Sequence, residues 1–241
     1  MPKLFWITLF LLNYWLGASL VGHKFEGNYI ASDGEGYYLY LPALFIHGTF
    51  EDIPVASAWE FSPYPETRKV KTRFTYGVAF MEAPFFGMAQ LLRKIKGKKT
   101  DDPFAAEICM MLLISACFYG TFGLYFVYKT LLTHFSNKKT VFWTIVILYF
   151  GTNLMFYTVR EPTMSHIYTF FLVAVLVYLL PSFWLTPSVF STFLVGFLLA
   201  LITLIRPTNF VFSLVVLIYD VYNLSDFKNR IIHIIQNLKT L

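Results

Sequence analysis

Between His166 and Arg206 the chain carries no Asp, Glu, Lys or Arg, and its apolar residues follow one another instead of alternating or recurring at helical spacing. Such a stretch cannot make the half-polar surface of a soluble helix or strand; lipid is the solvent that accommodates it. It supplies two runs, Ile167 to Leu185 and Ser188 to Ile205, each near the ~20 residues a helix needs to cross ~30 Å of hydrocarbon. Composition agrees, with 57% of the 241 residues hydrophobic, 20% aromatic and 14% charged, against about 25% charged in an average soluble chain. Mean hydropathy is +0.59. A disulfide-rich secreted module, a disordered tail and a cytosolic enzyme fold are excluded; the expectation is an all-α, polytopic integral membrane protein forming one membrane domain over 1–241.

The first run, 4–21, follows Lys3 and resembles a signal peptide, but Ala18-Ser19-Leu20 offers no small-x-small cleavage site. It reads as a retained span with its N-terminus inside. Runs at 104–129, 141–158 and 209–222 bring the expected spans to six. Tyr76 to Leu92 is also long enough, yet it carries Glu82, Pro84 and Gly87 at its centre, and a carboxylate at mid-bilayer costs roughly 2.5 to 3.5 kcal/mol on insertion scales. It reads as an interfacial or re-entrant helix. Residues 22–103 then form a long outer loop, in which Tyr37 to His47 is a second interfacial helix with Tyr37, Leu41, Leu44 and Phe45 on one face. Residues 223–241 form a cytoplasmic tail, amphipathic from Leu224 to Leu241 with Ile231, Ile232, Ile235 and Leu238 on one side. Counting Lys and Arg does not choose between six spans and seven. Six is preferred because it opens Asp33, Glu82, the Arg160 to His166 turn and the Arg206 to Asn209 turn all outward.

A net charge of +5 and a pI near 9.1 raise nucleic acid as a partner. The basic residues, however, lie in loops beside apolar runs, where membrane lipids with anionic or phosphate headgroups are nearer, so no nucleic-acid partner is expected. Cys109 and Cys117 fall in one apolar run and behave as small hydrophobes. No phosphate-binding loop, dinucleotide fingerprint, nucleophile elbow or zinc-binding His-Glu-x-x-His occurs.

Four polar clusters at span ends remain, and ionisable groups beside lipid are candidate functional sites. Ser32-Asp33-Gly34-Glu35-Gly36-Tyr37-Tyr38 has two readings: a helix start, which Ser and Asp favour, or a carboxylate held at the membrane surface as a general base or metal ligand. Arg160-Glu161-Pro162-Thr163-Met164-Ser165-His166 reads either as an interfacial ion pair before a proline-started helix, or as a group that binds phosphate and positions an acceptor. Helix-end packing is the commoner role for His166 alone. In Arg206-Pro207-Thr208-Asn209 the arginine either snorkels to headgroups, the commoner case, or grips a lipid phosphate. The basic segment from Arg68 to Arg73, with Glu82 beyond it, is a solvated strip or a docking strip for an anionic substrate group. Asn13 and Asn153 are expected as interhelical hydrogen-bond partners.

The order of these features resembles the GT-C superfamily of membrane glycosyltransferases, in particular the protein O-mannosyltransferase and aminoarabinose transferase branch. The resemblance rests on Asp33-Gly34-Glu35-Gly36-Tyr37-Tyr38 after the first span, on Tyr76-Gly77-Val78-Ala79-Phe80 through Pro84-Phe85, and on Tyr157-Thr158-Val159-Arg160 to Ser165. It implies transfer of a sugar from a polyprenyl-phosphate-linked donor at the outer face of a bacterial inner membrane, with inversion at the anomeric carbon. By the same resemblance Asp33 is the first-loop aspartate; together with the clustered outer polar turns, this gives Asp33, Glu161 and His166 as expected catalytic residues, Arg160, Arg206, Asn209, Tyr37, Tyr38, Arg73 and Glu82 as expected substrate-binding residues, and Asp33 with Glu161 as expected ligands of a divalent cation, Mg²⁺ or Mn²⁺. No aspartate occupies the second loop, where Glu161 or His166 stands instead. Relatives are longer; the match covers their N-terminal module and implies a fragment or a shortened member, with a protein partner supplying the missing helices. A transporter or flippase, and a non-catalytic assembly subunit, are the other functional classes. The absence of an internal repeat and of charges near the midplane weighs against transport.

Overall fold

The computed structural model describes every residue except 2, 25–29, 31, 57–60, 62 and 239–241. The described residues form helices and no strand, apart from a lone antiparallel bridge between Glu51 and Lys69. Three helices, α1 (Lys3–Lys24), α4 (Ala106–His134) and α7 (Ser165–Leu185), are long and apolar enough to cross a membrane. They fall on the runs expected at 4–21, 104–129 and 167–185. α4 continues past Lys129 to His134, and the next helix, α5 (Lys138–Phe150), starts where Asn137 caps the backbone N–H groups of Lys139 and Thr140 at 3.0 and 3.2 Å.

α4 is the central post. α1 runs antiparallel to it, with Trp6 against Tyr125 and Tyr128 near one end and Gly17 closing on Leu113 near the other. α7 runs parallel to it on another side, Tyr119 meeting Tyr168 and Phe171, and Phe126 meeting Tyr178. A helix in lipid gains little from hiding an apolar face, so close approach through small residues and buried hydrogen bonds carries the association. Gly123 gives that approach against Phe170 and Phe171. The Tyr149 hydroxyl donates to Asn13 Oδ1 at 2.6 Å, the interhelical role expected of Asn13. Asn153 instead sits exposed at the start of α6 (Leu154–Val159).

Several expected elements come out differently. The 141–158 run is divided into α5 and α6, because Gly151, Thr152 and Asn153 are three poor helix formers in succession. Likewise 209–222 becomes a 3₁₀ turn, Pro207–Val211, followed by the short α9 (Phe212–Ile218). α8 (Val189–Ile205) matches its run but has 17 residues. Tyr37 to His47 is not one helix: α2 (Ser32–Tyr38) is followed by a turn, Tyr40–Pro42, and a π turn, Ala43–His47. Pro42 has no N–H to continue the ladder. Tyr37 and Leu41 are buried while Leu44 and Phe45 are exposed, so the four do not share a face.

Tyr76 to Leu92 corresponds to α3 (Gly77–Ile95), which runs unbroken through Pro84. It packs one side into the bundle, antiparallel to α4. The Tyr119 hydroxyl donates to the Met81 carbonyl at 3.0 Å, and Arg93 donates to Glu107 at 2.9 Å toward the other end. Glu82 is fully buried there, its carboxylate oxygen 2.8 Å from the Tyr168 hydroxyl. The buried carboxyl thus has a phenol as its partner. α10 (Leu224–Leu238) is the amphipathic helix expected after the spans; the end of the tail, 239–241, lies outside the described residues.

Candidate functional site at one end of the bundle

Four segments far apart in sequence meet at the end of the bundle where α7 begins and α8 finishes. α2 comes in against the 160–164 turn, and Gly34 makes this possible, since a Cβ at Gly34 would overlap the Thr163 hydroxyl. Asp33, in the first turn of α2, has Oδ1 at 3.6 Å from the Arg73 guanidinium. Arg73 also lies over the Phe74 ring, 5.2 Å from its centroid. Threonines around it fix the segment: the Thr72 hydroxyl donates to the Gly36 carbonyl at 2.8 Å, and the Thr75 hydroxyl donates to the Ile205 carbonyl at 3.0 Å. Immediately after Ile205 the backbone becomes extended, and Arg206 Nε donates to the Tyr37 hydroxyl at 2.9 Å. His166, the second residue of α7, stacks on Tyr157 with ring centroids 3.9 Å apart. It lies within range of the charges of both Arg206 and Asp33.

Asp33, Arg73, Tyr37, His166 and Arg206 are thus one constellation. Arg160 and Glu161 stand partly exposed in the turn that Gly34 packs against. Other expected site residues are placed elsewhere. Tyr38 is buried with Phe86 and Phe104, and its hydroxyl donates to the Pro103 carbonyl. Burial pushes that phenol well above its ordinary value. Asn209 uses its amide to close the end of α8, donating to the Ile202 carbonyl at 3.2 Å and to Thr169 Oγ1 at 3.1 Å. Glu82 is sealed beneath the constellation and does not line it. Glu35 turns inward too, accepting from the Ala56 N–H.

Mg²⁺ and Mn²⁺ take about six oxygen ligands, of which a protein often supplies one or two carboxylates and waters or substrate phosphates the rest. Here Asp33 has Arg73 as its close neighbour. A carboxylate beside a guanidinium also suits a phosphate brought next to a hydroxyl.

An apolar groove of about 370 Å³ opens beside this constellation, between the Tyr40–His47 turns and the first half of α3; Tyr40, Leu44, Phe45, Tyr76, Phe80 and Ala83 are among its lining. The Tyr40 hydroxyl donates to the Phe74 carbonyl at 2.6 Å, and the Phe74 ring packs on Tyr37, 4.6 Å between centroids. Groove and Arg206 are therefore joined through two aromatic side chains. Sequence reasoning overlooked Tyr157 as the His166 partner, Thr163 as the seat for Gly34, and the threonines around Arg73. Only the last had a visible signal, two hydroxyl residues flanking a charge in a basic strip.

Comparison with protein-family models, with curated proteins and with solved structures finds no match to this chain.

Proposed function

We propose that the protein is a membrane glycosyltransferase that takes a sugar from a polyprenyl-phosphate-linked donor and passes it to an acceptor hydroxyl at the outer face of a bacterial inner membrane. The observation that carries this reading is the meeting of Asp33, Arg73, His166 and Arg206 at one end of the bundle, next to an apolar groove. The donor has both chemistries, a phosphate for the arginines and an isoprenoid chain for the groove. The chain crosses six times in this reading, with α5 plus α6, α8, and the 207–218 segment as the shorter crossings.

In the reaction the acceptor oxygen attacks the anomeric carbon as its proton passes to Asp33. The bond from that carbon to the phosphate oxygen breaks, and the polyprenyl phosphate leaves with the bonding electrons, so one displacement inverts the centre. Arg206 and Arg160 offset the charge that grows on the departing phosphate, an electrostatic role of several kcal/mol in a water-poor site. Asp33→Asn keeps the shape and removes the base. Transfer from a labelled polyprenyl-phosphate sugar by protein in nanodiscs is expected to fall by ~10²–10⁴-fold, with expression unchanged. Equal turnover in the variant would eliminate Asp33 as the base. Donor binding with no turnover in the unaltered protein would favour the assembly-subunit reading.

Sidedness is testable without knowing the sugar. Ser32 and Thr208 are exposed at the polar end and Ser136 at the other. Single cysteines at Ser32 and Thr208 are expected to react with an impermeant maleimide from outside intact cells, and one at Ser136 only after permeabilisation. Labelling of Ser32 and Thr208 from opposite sides would be incompatible with the constellation.

A further inference from the structure

Beneath the constellation lies a polar group that the proposed chemistry does not use. The Tyr168 hydroxyl oxygen, one turn into α7, is 2.8 Å from Glu82 Oε1 on α3 and 3.0 Å from the carbonyl of Pro162 in the 160–164 turn. Ser115 Oγ on α4 lies further off, at 3.5 Å. All three side chains are buried. A phenol has one proton to give, and a carbonyl only accepts. If Tyr168 gives its proton to an ionised Glu82, the Pro162 carbonyl faces phenol lone pairs at hydrogen-bonding distance with no proton between them. If Tyr168 gives it to Pro162, the contact with Glu82 needs a proton from the carboxyl side. Only the second arrangement satisfies both contacts.

The surroundings agree with a proton on the carboxyl. Glu82 Oε2 meets no protein donor, and a buried carboxylate with one bare oxygen and no countercharge is far costlier than a neutral acid with one unpaired carbonyl. The ionisable groups that act with Glu82 are Tyr168 from α7, Tyr119 from α4 and Tyr38 from α2, and none of these is a cation. Burial holds the Glu82 carboxyl well above the usual carboxylate range.

We propose that Glu82 is a positioning residue that works as a neutral carboxylic acid, donating its O–H to Tyr168 so that Tyr168 donates to the Pro162 carbonyl and clamps the 160–164 turn onto α3. The clamp joins three parts of the constellation. α3 follows directly from the Arg73 to Thr75 segment, Pro162 lies between Glu161 and the Thr163 on which Gly34 rests, and Tyr168 is two residues from His166. What the clamp positions is functional only on the reading given above; its existence does not depend on that reading.

Two readouts test it on the full chain in nanodiscs, neither requiring turnover. The first is infrared absorption at neutral pH. The difference between the unaltered protein and Glu82→Gln is expected to contain the carbonyl band of one protonated carboxyl; a carboxylate signature in its place overturns the proposal. The second is a nitroxide attached through Met164→Cys, the native Cys109 and Cys117 being buried. The label is expected to be immobilised in the parent and equally so with Glu82→Gln, whose amide N–H donates to Tyr168 as the acid does. With Tyr168→Phe, which keeps the ring packing, its mobility is expected to rise several-fold, and Glu82→Ala should do the same. Loosening by Glu82→Gln, or none with Tyr168→Phe, overturns the clamp. If Glu82→Ala does not fold, Tyr168→Phe still decides.

Discussion

Gly77→Ala is expected to lower the melting temperature of the purified protein markedly or to prevent its recovery. An added Cβ would lie 2.5 Å from the carbonyl carbon and oxygen of Leu204, and also against the backbone nitrogen of Ile205. These are backbone atoms at the last turn of α8, so no rotamer change relieves the overlap and the two helices must part. Overpacking of this sort costs about 1–3 kcal/mol and occasionally more, which in a chain of this size is a drop on the order of 2–4 °C for each kcal/mol. Separation would also break the Thr75 to Ile205 hydrogen bond and carry Arg206 away from Tyr37, so the site would suffer along with the fold. Gly87→Ala, ten residues along α3 on its exposed side, is the control. Nothing lies within 4 Å of a Cβ there, and alanine is the better helix former by about 1 kcal/mol. Its melting temperature is expected to stay level or rise; equal melting of both variants would show that α3 and α8 are not packed as described.

The second large effect is expected at Arg206. Replacement by Gln leaves a side chain of similar reach without the charge, and binding of a polyprenyl phosphate is expected to weaken by ~10²-fold, the scale of losing a charged hydrogen-bond donor. Lysine should recover only part of this, because it presents a point charge and cannot use one guanidinium nitrogen on Tyr37 while aiming the others at a phosphate. Tyr37→Phe removes the orienting bond but leaves the charge, so a smaller loss is expected, about 5-fold for one hydrogen bond of ~1 kcal/mol. Titration of a fluorescent polyprenyl phosphate into nanodisc-embedded variants reads all three. Unchanged affinity in Arg206→Gln would remove Arg206 from the phosphate site.

Much of the helical framework is legible along the chain because its determinants are local. The runs that became α1, α4 and α7 carry enough consecutive apolar residues to be recognised without any partner, and the proline and polar residues after Ile205 mark the end of α8. The breaks were less readable. Gly151-Thr152-Asn153 looks like a tolerable interruption in an apolar run, and only its neighbours decide that the chain turns there. Tyr37 to His47 failed for a related reason, since a helical face was inferred where Pro42 interrupts the ladder.

The candidate site shows the same division. That Asp33, Arg160, His166 and Arg206 are candidates follows from their chemistry, because ionisable groups beside lipid are candidate functional sites. Their side chains are short-range probes, however, and which ones meet depends on contacts between residues more than a hundred positions apart, such as Tyr37 with Arg206 and Thr75 with Ile205. Tyr38 and Asn209 were equally polar and equally well placed along the chain, yet packing gave their hydrogen-bonding groups to Pro103, Thr169 and Ile202. The amino-acid order by itself therefore determined that this chain is helical, apolar enough for lipid and polar at the ends of its runs, since hydropathy and helix propensity act over one or two turns. Tertiary structure alone decided that Glu82 is buried against Tyr168 and that four distant segments share one site, since a buried hydrogen bond exists only once the chain around it has excluded water.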